Sequence, residues 1–556
     1  MAFLRLSQTT PPHCKIFCNG PLLEAVQMSG LFKDSKHFVD MPLVKDPDTT
    51  LRNFLLLKNK TDAREIQTFV EEHFRQPGDE LEPCHPGDFV PFPQSFNQIK
   101  DPIYRQWAFE LHWKWRSLCR KVKEEVKQEP HKYSLIPVPY PFVAPGGRFR
   151  ELYYWDSYWI IRGLLASEMY TTAKGMIRNL AHMVKEYGFV PNGGRIYFLN
   201  RSQPPLLPSC VEAYYNTTKD IAFVREMLPI LEKEHYFWTT SRTVEWPLDD
   251  QHHFNFFHYN PTVTDPRPES YKEDIETAAH LDTQKERQEL WSNIAGACES
   301  GWDFSSRWFG RSGDHANTLR TIQTSKVVPV DLNAFVCGNE RLLAEMYTLI
   351  GNASMAQQHQ SEHEFFKYAL HRSFWDEAKG SWFDLDLTSG QQTQHYYVSN
   401  PTPLFTKCAH NSKTLADKVL AYLENSGATD FAGGLPTSFE LSGEQWDSPN
   451  GWAPTNHVVM EGLMDSATSR SAQKAAFEMV DKWIQTNYFV YLRSGGKMFE
   501  KYNVETETAT AGGGGEYEVQ EGFGWTNGVV LDLLLKYGDR LRAPAFHSFH
   551  AKVKKI

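Results

Sequence analysis

Asp303 sits in GWDFSSRW (301–308), between Trp302 and Phe304. An apolar wall on both sides raises a carboxyl pKa and keeps the group protonated, which suits a proton donor. Glu500 precedes the glycine run AGGGG (511–515) and Glu516 closes it. Glycines there let backbone approach a ligand, and either carboxylate could act as a base. A second kind of chemistry is written in PGGRFRELYYWDSYW (145–159), where Arg148, Glu151, Trp155 and Asp156 follow a glycine turn. Flat rings beside charged hydrogen-bonding groups match a sugar, which offers C–H faces to stack and hydroxyls to bond. The mixture recurs in PNGGRIYFLNRSQPP (191–205), DPRPESY (265–271), ESGWDFSSRW (299–308) and EQWDSPNGWAP (444–454), and again at 499–528. Hydrolysis of a glycosidic bond needs two carboxyl groups, one donating a proton and one acting from the opposite face.

Other chemistries find less support. The glycine run lacks G-K-[ST] and a preceding buried strand, so it does not read as a phosphate loop. No H-E-x-x-H or G-x-S-x-G occurs, and no metal site is expected. His359, His363 and His371 read as part of a solvated helix face rich in Gln and Glu. The formal charge of −10 without a basic block argues against a nucleic-acid partner. Eight cysteines without C-x-x-C pairs argue against a zinc ribbon or a disulfide-framework scaffold. The apolar runs are too short to span a membrane. No signal-peptide h-region and no lipid-anchor tail are read at the termini. Sequons at Asn59, Asn200, Asn216 and Asn352 tilt the reading slightly towards a secreted glycoprotein.

The elements that must carry these loops are helical. Apolar residues recur at three- and four-residue spacing over 155–188, 331–352, 411–427, 456–488 and 526–541. Strand-like alternation is sparse. Helix pairs arranged in a ring, with their connecting loops gathered at one end, would bring the loops together.

The segments PGGRFRELYYWDSYW and QWDSPNGWAP resemble the two signatures of trehalases, glycoside hydrolase family 37, of the animal type. PNGGR, RSQPP, RPES, ESGWDFSSRW and GGGGEYEVQEGFGWTNG resemble further segments in the same order, and the likeness runs from CNGPLLEAVQMSGLFKDSKHFVDMPL (18–43) to about residue 541. The resemblance implies an all-α (α/α)6 barrel: an N-terminal extension (1–17), one catalytic domain (18–541) and a basic tail (542–556). It implies an inverting hydrolase that splits α,α-trehalose into two glucose molecules, with no metal or cofactor. Asp303 falls at the general acid and Glu500 at the general base. Arg148, Trp155, Asp156, Asn192, Arg201, Gln203, Arg267, Glu269, Gly301 and Glu516 fall at positions that bind or surround the sugar, with Trp446 and Trp452 as further walls. The field of the arginines is expected to keep Glu500 ionised. Asn503 stands where the family often has Asp, and loss of that charge would lower the base's pKa slightly. A glycan on Asn200 would collide with the pocket, so that sequon is set aside. Extracellular or cell-surface placement follows by resemblance, with a cytoplasmic chain as the alternative. Alternative functions are another inverting α-glucosidase on the same toroid and an inactive sugar-binding protein.

Overall fold

A computed structural model describes residues 11–410, 412–505 and 510–544. Residues 1–10 and 545–556, most of the expected extension and tail, lie outside the described residues. Cys14–Phe17 forms a helical turn closed by a Cys14–Cys18 disulfide, and Ile16 and Phe17 are fully buried.

Twelve helices build the body. The outer ones are α1 (Pro102–Leu118), α3 (Tyr170–Tyr187), α5 (Ile221–Ser241), α7 (Ala353–Phe374), α9 (Ser412–Asn425) and α11 (Arg470–Arg493). The inner ones are α2 (Tyr154–Ala166), α4 (Leu207–Thr218), α6 (Val330–Leu349), α8 (Thr402–Phe405), α10 (Ala453–Ser466) and α12 (Gly524–Tyr537). Each inner helix touches the next, α2 to α4 to α6 to α8 to α10 to α12, and α12 returns to α2. The chain is thus an (α/α)6 toroid.

Closure of the ring depends on small residues. A Cβ on Gly163 of α2 would stand 2.5 Å from Gly528 Cα of α12, and one on Gly528 would stand 2.1 Å from the Trp159 carbonyl. The two backbones therefore meet where no side chain fits.

The connections differ at the two ends of the ring. Inner helices pass to outer ones through tight turns at 167–169, 219–220 and 467–469. Outer helices pass to inner ones through long segments at 119–153, 188–206, 242–329, 375–401, 426–452 and 494–523. Those long segments, with the first turns of the inner helices they lead into, hold the motifs read for sugar chemistry, so the inner helices begin at the motif end.

Two periodic stretches divide into helix pairs. The stretch 155–188 breaks after Ala166, where Glu168 takes a positive φ of 60° and its carboxylate accepts from the backbone of Gln94 and Ser95. The stretch 456–488 breaks where Ser469 caps α11 by accepting from Ala472 N. A surface-helix pattern does not register a reversal of three residues.

The histidine reading needs correction. His359 and His363 are each 4% exposed, because α7 turns them towards α6 rather than to solvent. His359 Nδ1 meets Glu340 at 2.6 Å and its Nε2 meets Glu232 of α5 at 2.8 Å. Burial alone would lower its pKa, but the two carboxylates outweigh it and push the pKa up to about 9. A pKa raised on folding stabilises fully below the unfolded value of about 6.5. That stabilisation is lost as pH rises through about 9. His359→Gln should therefore lower the melting temperature most below pH 6.5, and the gap to the native chain should narrow towards pH 9. Differential scanning fluorimetry across that range checks it, and parallel curves would contradict it.

The cysteines also form more bonds than their spacing suggests. Cys14–Cys18, Cys84–Cys119 and Cys337–Cys408 are disulfides, while Cys210 and Cys298 are buried thiols. They bracket a core of ordinary size instead of replacing one.

Candidate active site

The long connections and the first turns of inner helices enclose a cavity of about 680 Å³ including its mouth. Arg148, Trp155, Asp156, Asn192, Arg201, Gln203, Arg267, Glu269, Gly301, Asp303, Trp446, Trp452, Glu500 and Glu516 all line it. Trp155 and Asp156 lie in the first turn of α2, and Trp452 caps α10. Gly301 ends the Gln284–Ser300 helix with φ +77°, and a Cβ there would meet the Trp155 indole at 2.7 Å. Only glycine turns the chain into Asp303 at that distance.

The apolar wall is a stack of indoles. Trp446 and Trp452 lie parallel with centroids 3.9 Å apart, and Trp302 stacks behind Trp446 at 5.2 Å. Trp302 is buried behind the lining residues, so it fixes the loop and does not face the cavity. The Ser-Ser-Arg that follows Asp303 is structural. Asp447 accepts from the hydroxyls of Ser305 and Ser306 and from Ser306 N, while Arg307 pairs with Asp331 and Asp384.

Desolvation pushes the Asp303 pKa up to about 7; Arg267 opposes the shift, and the charges of Glu516 and Glu500 add to it. Glu500 is 2% exposed and precedes β2 (Lys501–Asn503), the middle strand between β1 (Asn450–Trp452) and β3 (Thr510–Ala511). Its Oε1 accepts from the Tyr517 hydroxyl at 2.9 Å. Its Oε2 is buried and has no hydrogen-bond partner among the described residues. Desolvation raises its pKa, against the charge of Lys501 and the hydrogen bond from Tyr517. Asp156 is likewise pushed well above the usual range, by burial and by the charge of Glu500. Three carboxyls thus share one desolvated space, where the charge of each disfavours ionisation of the others.

The arginines do not act as a bare positive field. Arg148 is held by Asp34 through Nε at 2.9 Å and Nη2 at 2.7 Å. Arg267 is held by Asp274 at 2.6 Å and Glu516 at 2.9 Å, and Arg201 is paired with Glu269. Each cation carries its own anion, so the site presents directed N–H donors with little net charge. The Arg201 Nε and the Glu269 Oε2 remain buried and unpaired among the described residues, a donor and an acceptor side by side. The largest cationic influence on Glu500 is Lys501, with Arg148 contributing less. The expectation that the arginines hold Glu500 ionised is therefore revised.

Other readings shift as well. Glu151 does not line the cavity. It is fully buried, with Oε1 at 2.7 Å from Lys36 Nζ and Oε2 at 3.3 Å from Arg195 Nε, and it fastens the N-terminal segment to the ring. Asn503 Oδ1 accepts from Glu505 N at 3.0 Å, so the amide caps a turn. Asn192 spends both amide hydrogens on the Ser202 and Cys298 carbonyls, leaving only its oxygen to offer.

The structure also adds residues that sequence reasoning passed over. Lys36, Phe149, Phe198, Cys298, Tyr517 and Trp525 line the cavity. Lys36 comes from Ser35–Val39, a helix that packs on Pro268–Ser270 at the mouth. Tyr517 had a signal, since it follows Glu516 directly. Lys36 had none beyond lying within 18–43, the first segment that carries the family resemblance.

The chain was compared with known proteins. A family model described as trehalase matches residues 30–538. The trehalase of Homo sapiens is 46% identical to it, covering 98% of this chain and 93% of its own length. The trehalase of Apis mellifera is 42% identical, covering 98% and 88%. Among solved structures, neutral trehalase Nth1 from Saccharomyces cerevisiae superposes with a TM-score of 0.58 at 22% identity, covering 78% of this chain and 82% of that one. This last likeness speaks to the fold.

Proposed function

Because this chain belongs to the trehalase family and hydrolyses α,α-trehalose to glucose, we infer that Asp303 is the general acid and Glu500 the general base of an inverting reaction. Asp303, still protonated near neutral pH, gives its proton to the oxygen that bridges the two anomeric carbons. Glu500 takes a proton from a water on the ring face opposite the departing glucose, and that water's oxygen bonds to the anomeric carbon of the retained sugar as its bond to the bridging oxygen breaks. The observation that carries this assignment is the buried Glu500 Oε2, left without a partner among the described residues, in the same cavity that Asp303 lines. Tyr517 occupies the other oxygen, so the carboxylate has one lone-pair face to give to water.

The indoles of Trp155, Trp446, Trp452 and Trp525 supply faces for the pyranose rings. Arg148, Arg201, Arg267, Glu269, Asp156, Asn192, Gln203 and Glu516 supply donors and acceptors for hydroxyls. Paired arginines suit a neutral ligand, because an unpaired guanidinium would be left with buried charge when the sugar displaces water. The closed ring supports one catalytic domain over 18–541, and the three disulfides support an oxidising, extracellular compartment.

Inversion at one anomeric carbon of an α,α-linked disaccharide releases one β-glucose and one α-glucose. Proton NMR started within seconds of adding enzyme to trehalose should show both anomers at equal initial rates, before mutarotation mixes them. A burst of α-glucose alone would overturn the inverting assignment. Maltose in place of trehalose tests the other α-glucosidase reading, and turnover of maltose at the rate of trehalose would favour it.

A further inference from the structure

Lys501 is the residue after Glu500 and is fully buried. Its Nζ donates to Gln445 Oε1 at 2.6 Å and approaches the Gly514 carbonyl at 3.5 Å. The remaining contacts are ring faces, Trp452 at 5.0 Å and Tyr517 at 5.5 Å. None of these partners carries a negative charge. A buried ammonium with neutral partners costs free energy that a methionine or leucine at the same place would not. Burial lowers its pKa, and the charges that act in the other direction are Glu500 and Asp303. A lysine kept at that cost, next to Glu500 in the chain and acted on by the charges of both reacting carboxyls, serves the reaction more than the fold.

Gln445 extends the connection. Its Oε1 receives Lys501, and its Nε2 donates to the backbone carbonyl of Asp303. Its own backbone carbonyl accepts from the Trp452 indole at 3.0 Å and from Asn450 Nδ2 at 3.1 Å, so the backbone that carries the amide is anchored as well. On the other side, Trp525 Nε1 donates to the Glu500 carbonyl at 3.0 Å. Trp452 pairs with Lys501 across β1 and β2. One ammonium thus ties the start of the strand that follows Glu500 to the loop that bears Asp303.

We propose that Lys501 is a positioning residue for hydrolysis: through Gln445 it fixes the acid loop against the base strand, and its charge holds Glu500 ionised. The proposal rests on the roles assigned to Asp303 and Glu500. The charged and titratable groups acting on Glu500 come from five elements. They are Asp156 from α2, Asp303 from the loop after the Gln284–Ser300 helix, Arg148 and Tyr517 from two connections, and Lys501 from its own strand. Arg148 is neutralised by Asp34, so among these Lys501 is the cation without a contacting carboxylate. Removing it raises the pKa of Glu500, and a base that must be ionised then fails at a higher pH.

The test is the pH dependence of kcat and KM for trehalose in Lys501→Met, Lys501→Arg and Gln445→Met, each checked by circular dichroism and thermal melting. Lys501→Met should lower kcat about 100-fold with KM within about threefold, and move the acidic limb of kcat/KM up by about one pH unit. Lys501→Arg should restore the limb and at least about tenfold of the lost kcat. Gln445→Met, which keeps the charge and loses the tie, should lower kcat about tenfold with the limb unmoved. Unmoved limbs in Lys501→Met, or Lys501→Arg no better than Lys501→Met, would overturn the proposal. If Lys501→Met does not fold, the arginine variant and Gln445→Met decide it, since native kcat in Gln445→Met removes the tie and a displaced limb in Lys501→Arg removes the charge. Failure of the underlying reading looks different: Glu500→Ala would then keep its activity.

Discussion

Asp303→Asn is expected to lower kcat for trehalose by about three to four powers of ten, with KM changed only a few-fold. The amide preserves size and most hydrogen bonds but cannot release a proton to the departing oxygen. Glucose is a poor leaving group as an alkoxide, so the loss falls on the chemical step. A substrate whose leaving group needs no proton separates this role from mere damage. α-Glucosyl fluoride should be hydrolysed by Asp303→Asn within about tenfold of the native rate. The pH profile supplies a second reading. The acid must be protonated, so kcat/KM for trehalose should fall as pH rises through about 7, the value to which desolvation pushes Asp303. With the fluoride as substrate, that limb should vanish in the variant. Equal losses on trehalose and fluoride would show that Asp303 does not donate the proton.

Glu500→Ala should be as severe on trehalose, and small anions should repair it. Truncation opens the space where Oε2 now lies with no partner among the described residues. Azide carries its own lone pair and needs no proton removed, so it can attack the anomeric carbon directly. The C–N bond forms as the glycosidic C–O bond breaks, Asp303 protonates the leaving glucose, and the product is β-glucosyl azide. Recovery of at least about 100-fold in kcat at molar azide, with that anomer by NMR, is the expected result. Rescue yielding the α-azide would place the attack on the wrong face, and no rescue in a folded variant would remove Glu500 from the base position.

Much of this site was legible in the chain because its chemistry is local in sequence. A tryptophan on one side and a phenylalanine on the other announce a desolvated Asp303. A run of glycines announces a close approach near Glu516. Helical periodicity, interrupted by long polar and aromatic segments, announces rods joined by loops. These signals depend on residue type within a few positions, which sequence shows directly. The resemblance of several such segments in fixed order then named the family and the toroid.

Charge balance was not legible, because it depends on partners hundreds of positions away. The sequence shows three arginines near a sugar and cannot show that Asp34, Glu269 and Asp274 neutralise them. Glu151 looks like its neighbour Asp156, yet one residue is buried under Lys36 and Arg195 while the other lines the cavity. The histidines of α7 sit in a polar stretch, and only the packing of α7 on α5 and α6 turns them inward. Sequence alone determined which groups could donate, accept, stack or bend. The tertiary structure decided which of them keep their charge, because charge in a desolvated space is set by the nearest opposite charge, and the ring brings that neighbour from far along the chain.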